Sequence, residues 1–235
     1  MQILRKIEKK LHEGGWSNLL QSTVRKLSFS VLRVYSNVVL RNKFLSKRIP
    51  FKQPPILVLS YPRSGSSWVG EILQKSKNAA YLREPVTTRY LASGGTLTMI
   101  DLNDKVALSL YQKSSDESFM GIPSKMPGVV IDYKDFVLFK RKRRRIVIKE
   151  VNPRAAKFYC ERYKPKVILI LRHPAALALS FQKMGWLEAK DTQMETGNLD
   201  SDKWEKFGFA YGYIMKEALD VLLNKSKFKL FLGHD

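Results

Sequence analysis

The stretch Ser60-Tyr61-Pro62-Arg63-Ser64-Gly65-Ser66-Ser67-Trp68 gathers the hydroxyls of Ser64, Ser66 and Ser67, the Arg63 guanidinium and one glycine. An apolar run, Ile56 to Leu59, precedes it, and a helix-like run from Val69 to Gln74 follows. A strand, a turn of small residues and a helix start aim backbone N–H groups and the positive helix end at one point. That arrangement suits a phosphate or a sulfate. Gly65 lets the backbone come close to the anion, and Arg63 adds a fork of donors. The loop is not a Walker A, because G-x-x-x-x-G-K-[ST] cannot be laid onto it. The plainer alternative is an ordinary strand-to-helix turn built of small residues.

Two further segments carry groups of the same chemistry. Lys166 to Leu171 is a second apolar strand and ends in Arg172-His173-Pro174, with Ser180 eight positions beyond Arg172. A guanidinium at a strand end and a hydroxyl two turns into the next helix suit convergence on one anion. Tyr81-Leu82-Arg83-Glu84-Pro85 is a short strand that delivers a carboxylate just after the first helix.

Together these segments resemble the PAPS-dependent sulfotransferases, whose donor is 3′-phosphoadenosine 5′-phosphosulfate, and in particular their carbohydrate 6-O-sulfotransferase branch. The family's 5′-phosphosulfate loop, R-S-G-S-S-[FW]-x-G-E-[IL], is matched by Arg63 to Ile72. Its x-L-x-E-P segment is matched by Tyr81 to Pro85, and its 3′-phosphate motif by Arg172-His173-Pro174 and Ser180. The resemblance runs from Ile56 to Phe181, and His173 stands where the family usually has Asp.

The resemblance implies that the donor is held by Arg63, Ser64, Gly65, Ser66, Ser67, Trp68, Arg172 and Ser180. It also implies that Glu84 is the base; the residues themselves offer two rivals, Glu150 beside Lys149 and His173 after Arg172. Sulfuryl transfer asks for in-line positioning and for cations near the departing oxygen. Arg63, where the family often has Lys, and Lys149 at the end of the central strand suit that role. The acceptor implied is a hydroxyl on a carbohydrate, acidic in one reading. After its last strand the family continues into further helical structure, whereas this chain stops at His234-Asp235, so the expectation is a domain cut short at its C-terminal end.

The elements that must position these groups alternate strand, helix, strand from Ile56, from Arg145 and from Lys166. The expected fold is therefore α/β, a P-loop-like three-layer arrangement with a central parallel sheet flanked by helices. Two helices are expected between Thr87 and Tyr133, one from Arg154 to Tyr163, one from Trp204 to Leu223, and a last strand from Phe228 to Leu232. Residues 53–235 form the expected sulfotransferase domain.

Residues 1–52 form a basic, amphipathic helical arm whose only acids are Glu8 and Glu13. It reads as a segment lying on an anionic membrane or as a helix packed on the catalytic domain. No apolar run is long enough to span a bilayer, and no secretory signal follows Met1, which points to a cytoplasmic protein, peripheral at a membrane in the first reading.

With 235 residues the chain buries one sizeable core, and its single cysteine, Cys160, excludes an intramolecular disulfide framework. Three His and no clustered ligand spacing point to no metal. The net charge of +21 attracts anions well beyond one nucleotide. The run Lys140 to Arg145 contributes to that field, read either as a polyanion site or as the solvated end of a helix. No specific nucleic acid is expected. The competing functions are a P-loop-type nucleotide kinase or hydrolase, and a non-catalytic module binding polyanions or membranes through these basic segments.

Overall fold

The structure is a computed structural model in which residues 49–95, 99–100, 102, 105–121, 128–136, 138–187 and 202–224 are described. The arm expected over 1–52 lies outside the described residues except for its last four, and so does the expected strand from Phe228 to Leu232. The chain runs β1 (Ile56–Ser60), α1 (Ser66–Gln74), β2 (Ala79–Arg83), α2 (Pro85–Ala92), α3 (Lys105–Phe119), β3 (Arg145–Glu150), α4 (Ala156–Tyr163), β4 (Lys166–Ile170), α5 (Pro174–Lys183) and α6 (Lys203–Leu223). Short 3-10 segments at Tyr133–Phe136, Leu138–Arg143 and Pro153–Ala155 precede β3 and α4.

The four strands are parallel, in the order β2-β3-β1-β4. Strands covered on both faces read as unbroken apolar runs, which is why Ile56 to Leu59 and Ile146 to Ile148 carry no alternation. The register sets Val58 beside Lys149 and Ile168, and Leu59 beside Glu150 and Leu169. Val58, Ala79, Tyr81 and Val147 line one face, packed with Val69 and Leu73 of α1. By alternation Ser60 and Lys149 also belong to that face, whereas Glu150 belongs to the other. Full burial of side chains such as Leu57 or Leu59 contributes roughly 1.5–3 kcal/mol each.

Helix α1 can lie so close to the sheet because position 70 is glycine. A Cβ there would stand 2.3 Å from the Tyr81 hydroxyl oxygen. At the far side, the Tyr61 ring meets Phe181, Phe207 and Tyr211 with centroids 5.2–6.0 Å apart, which ties the end of β1 to α5 and α6.

The basic run before β3 differs from a uniformly solvated helix end. Arg141 is buried, its guanidinium 4.3 Å from the centroid of the Phe51 ring and its Nη2 donating to the Met120 carbonyl at 2.5 Å. Arg144 is ion-paired with Asp135. A ring face, a carbonyl and a carboxylate compensate the desolvation of these two guanidiniums. Cys160 is buried on α4, as a small apolar residue would be.

Candidate active site at the carboxyl ends of the strands

In parallel α/β sheets, ligands bind beyond the carboxyl ends of the strands, where the strand order reverses. Here that place is between β3 and β1: the chain passes from β1 out to β2, returns to β3, and then crosses past β1 to β4 on the other side. The candidate residues all follow or end these strands: Arg63 to Trp68 after β1, Glu84 after β2, Lys149 and Glu150 in β3, Arg172 after β4.

The loop after β1 is built to leave donors unused. Gly65, at φ 87°, caps α1 without a side-chain hydrogen bond, and no acid stands in the first turn. The amides of Trp68 and Val69 turn back to the Gly65 carbonyl at 3.1 and 3.3 Å. Those of Gly65, Ser66 and Ser67 have no acceptor among the described residues. Ser60 donates to the Ser66 hydroxyl at 2.7 Å, which pins the loop to the strand. The Ser64 hydroxyl is buried with no partner among the described residues, an arrangement that costs free energy unless an anion or water completes it. Trp68 is 68% exposed at the start of α1.

The two arginine motifs, 109 residues apart, meet at this loop. Arg172 Nη1 donates to the Arg63 carbonyl at 2.8 Å, and Arg63 Nε donates to the Ser180 hydroxyl at 3.1 Å. Neither guanidinium has a carboxylate partner among the described residues, so two exposed cations stand together with no counter-ion. Tyr211, on α6, grips the backbone of Arg172 from both sides, donating to its carbonyl at 2.8 Å and accepting from its amide at 3.4 Å. The sequence placed it only within the helix expected from Trp204 to Leu223, and no local pattern links it to a residue 39 positions away.

Arg63, Glu84 and Lys164 are the non-glycine residues with left-handed backbone among the described residues, at φ 68°, 47° and 48°. Such conformations cost of order 1–3 kcal/mol each and gather at functional sites. Two of the three are candidate chemical groups.

Glu84 is ion-paired with Lys149, whose side chain is almost wholly buried. Its amide also donates to the Lys149 carbonyl at 2.7 Å. Candidate base and candidate cation therefore form one unit at the ends of β2 and β3. Arg89, an alternative partner for Glu84, is instead paired with Glu117. Glu150 has a different job. Fully buried on the opposite face, it accepts from the Val86 amide at 2.6 Å, the Thr87 amide at 3.3 Å and the Thr87 hydroxyl at 2.7 Å. It thus supplies the cap that the Glu84 side chain does not give to α2. Burial, reinforced by the nearby Glu84 charge, pushes its carboxyl up to about 7 against the pull of those donors. His173 Nδ1 accepts from the Ala175 amide at 3.3 Å and caps α5, the service an Asp renders at such a position.

A comparison with protein families matches residues 53–231 to the sulfotransferase domain. Neither the curated proteins nor the solved structures give a match. A parallel sheet with its anion-ready loop after β1, read with a family match over most of the chain, leaves one conclusion: the chain belongs to the sulfotransferase family and is a PAPS-dependent enzyme that transfers a sulfuryl group to a hydroxyl acceptor.

Proposed function

We propose that this chain is a carbohydrate sulfotransferase of the 6-O type, with the donor spread between the loop after β1 and the Arg172–Ser180 pair. The observation that carries the donor assignment is the meeting of Arg63, Arg172 and Ser180 beside three unused amides and the buried Ser64 hydroxyl. A nucleotide with anions at both its 5′ and 3′ ends matches two adjacent cationic positions better than one with a single anion does. The 5′-phosphosulfate lies on Ser64 to Trp68 and the start of α1, and the 3′-phosphate on Arg172 and Ser180. Arg63 spans the two, because its carbonyl holds Arg172 while its side chain reaches Ser180.

In the reaction the acceptor oxygen bonds to sulfur as the bond from sulfur to the bridging phosphate oxygen breaks. The acceptor proton goes to Glu84, and the electron pair leaves on adenosine 3′,5′-bisphosphate. The α1 amides and the Arg63 and Lys149 cations offset the charge that gathers on the departing oxygen. Pairing with Lys149 keeps the Glu84 carboxylate in one place until the acceptor arrives. The preference for a sugar rests on the motif resemblance, and the excess of positive charge favours an acidic one.

The test is transfer of labelled sulfate from PAPS to a panel of neutral and acidic oligosaccharides, a phenol and a lipid alcohol. Transfer to a sugar 6-hydroxyl is expected, and transfer confined to the phenol or the lipid contradicts the acceptor reading. Glu84→Gln should lower the rate by about 10²–10⁴-fold while donor affinity stays unchanged. Intact turnover in that variant removes Glu84 from the chemistry.

A further inference from the structure

At the opposite end of the sheet, where the strands begin, a pocket of about 340 Å³ opens between the start of β3 and the end of α1. Its floor is apolar, formed by Ile56, Leu73, Ala79 and Val147, with the polar residues Ser76 and Asn78 beside it. Its rim carries Lys52, Arg143 and Arg145, none with a carboxylate partner among the described residues. The basic run before β3 is thus divided by the fold. Arg141 and Arg144 are committed inward, while Arg143 and Arg145 are left to face this pocket.

Every segment that enters a strand adds to the same field. Lys52 precedes β1, exposed Lys75 and Lys77 precede β2, and exposed Lys164 and Lys166 lead into β4. No Asp or Glu stands within 50–55, 75–78, 138–145 or 164–166. An apolar floor inside a cationic rim is complementary to an anionic head on a hydrocarbon stem. A plain polyanion would leave the floor unused.

We propose that this edge of the sheet is a membrane-facing surface, and that its pocket binds an anionic phospholipid. The phosphate sits on Lys52, Arg143 and Arg145, and the first carbons of an acyl chain lie on Ile56 and Leu73. Because the donor loop is at the other end of the strands, the membrane-bound enzyme holds its catalytic edge toward the aqueous phase. The proposal does not depend on which acceptor is used.

The whole chain is titrated calorimetrically with dihexanoyl phosphatidate below its micellar concentration, with saturating adenosine 3′,5′-bisphosphate present to occupy the donor loop. Saturable one-to-one binding is expected, weakened about tenfold or more in Arg143→Gln/Arg145→Gln and again in Lys52→Gln. Glycerol 3-phosphate, which lacks the chains, should bind about tenfold more weakly or worse. Unchanged donor binding in each variant shows that it is folded. Equal binding of glycerol 3-phosphate and the lipid reduces the pocket to a simple anion site and overturns the proposal. Lipid binding that ignores all three substitutions overturns it too. So does a sulfated oligosaccharide that needs these residues where the lipid does not bind.

Discussion

At Arg63 a backbone outlier and a side-chain contact coincide. Its left-handed φ turns the carbonyl toward Arg172, while its guanidinium reaches Ser180. The sequence made Arg172 and Ser180 legible as a pair, because strand end plus eight residues is a fixed helical geometry. That Arg63 touches both Arg172 and Ser180 was not legible, since its φ depends on the packing of the whole loop. His173 is the other instructive residue. Its type departs from the family motif, yet Nδ1 takes up the Ala175 amide, so the capping function survives the change. His173→Asp should therefore leave stability within about 0.5 kcal/mol, and His173→Ala should lower it by about 1 kcal/mol. Urea unfolding of the three proteins checks this, and equal losses for Asp and Ala contradict the capping role.

Among the elements, α1 and β2 depend most closely on one another. Gly70 looks like an ordinary position in the loop-to-helix motif. The structure gives it a packing reason, because the Tyr81 hydroxyl fills the space of a side chain. Gly70→Ala, which would raise helix propensity on an exposed surface, should instead destabilise by roughly 1–3 kcal/mol and weaken donor binding by tilting α1. Thermal melts and nucleotide titration of that variant test both effects, and a rise in Tm contradicts them. Apolar runs and their spacing revealed β1, β3, β4 and α6 to within two residues, whereas the strand read at Tyr81 to Pro85 lies at Ala79–Arg83, because Glu84 and Pro85 open α2 instead. The uniform view of Lys140 to Arg145 failed because a charge run does not encode which members have a ring or a carboxylate waiting. Phe51 lies 90 positions before Arg141, beyond any local pattern.

For the molecule as a whole, the two ends of one sheet carry different tasks. The carboxyl ends collect Arg63, Ser64, Glu84, Lys149, Arg172 and Ser180, and the amino ends collect cations without a carboxylate partner among the described residues, around an apolar pocket. At the carboxyl end of β3, on the face opposite Lys149, Glu150 couples stability to pH. Its folded-state pKa of about 7 is above its ordinary value of 4.5, so the folded chain binds the proton more tightly than the unfolded one. The stability contributed by this group is full below about pH 4.5 and is lost as pH rises through about 7. The Tm of the wild type should therefore fall relative to that of Glu150→Gln between about pH 5 and about pH 8. Parallel Tm profiles contradict the coupling.

The proposed donor site joins two motifs far apart in sequence around one nucleotide bearing 3′ and 5′ anions. Calorimetric titration with adenosine 3′,5′-bisphosphate and with adenosine 5′-phosphate, on the wild type and on Arg172→Ala, addresses it directly. The bisphosphate should bind about tenfold or more tightly in the wild type, and Arg172→Ala should remove most of that preference. Equal affinity for the two nucleotides in the wild type, or an equal loss of both in the variant, would contradict it.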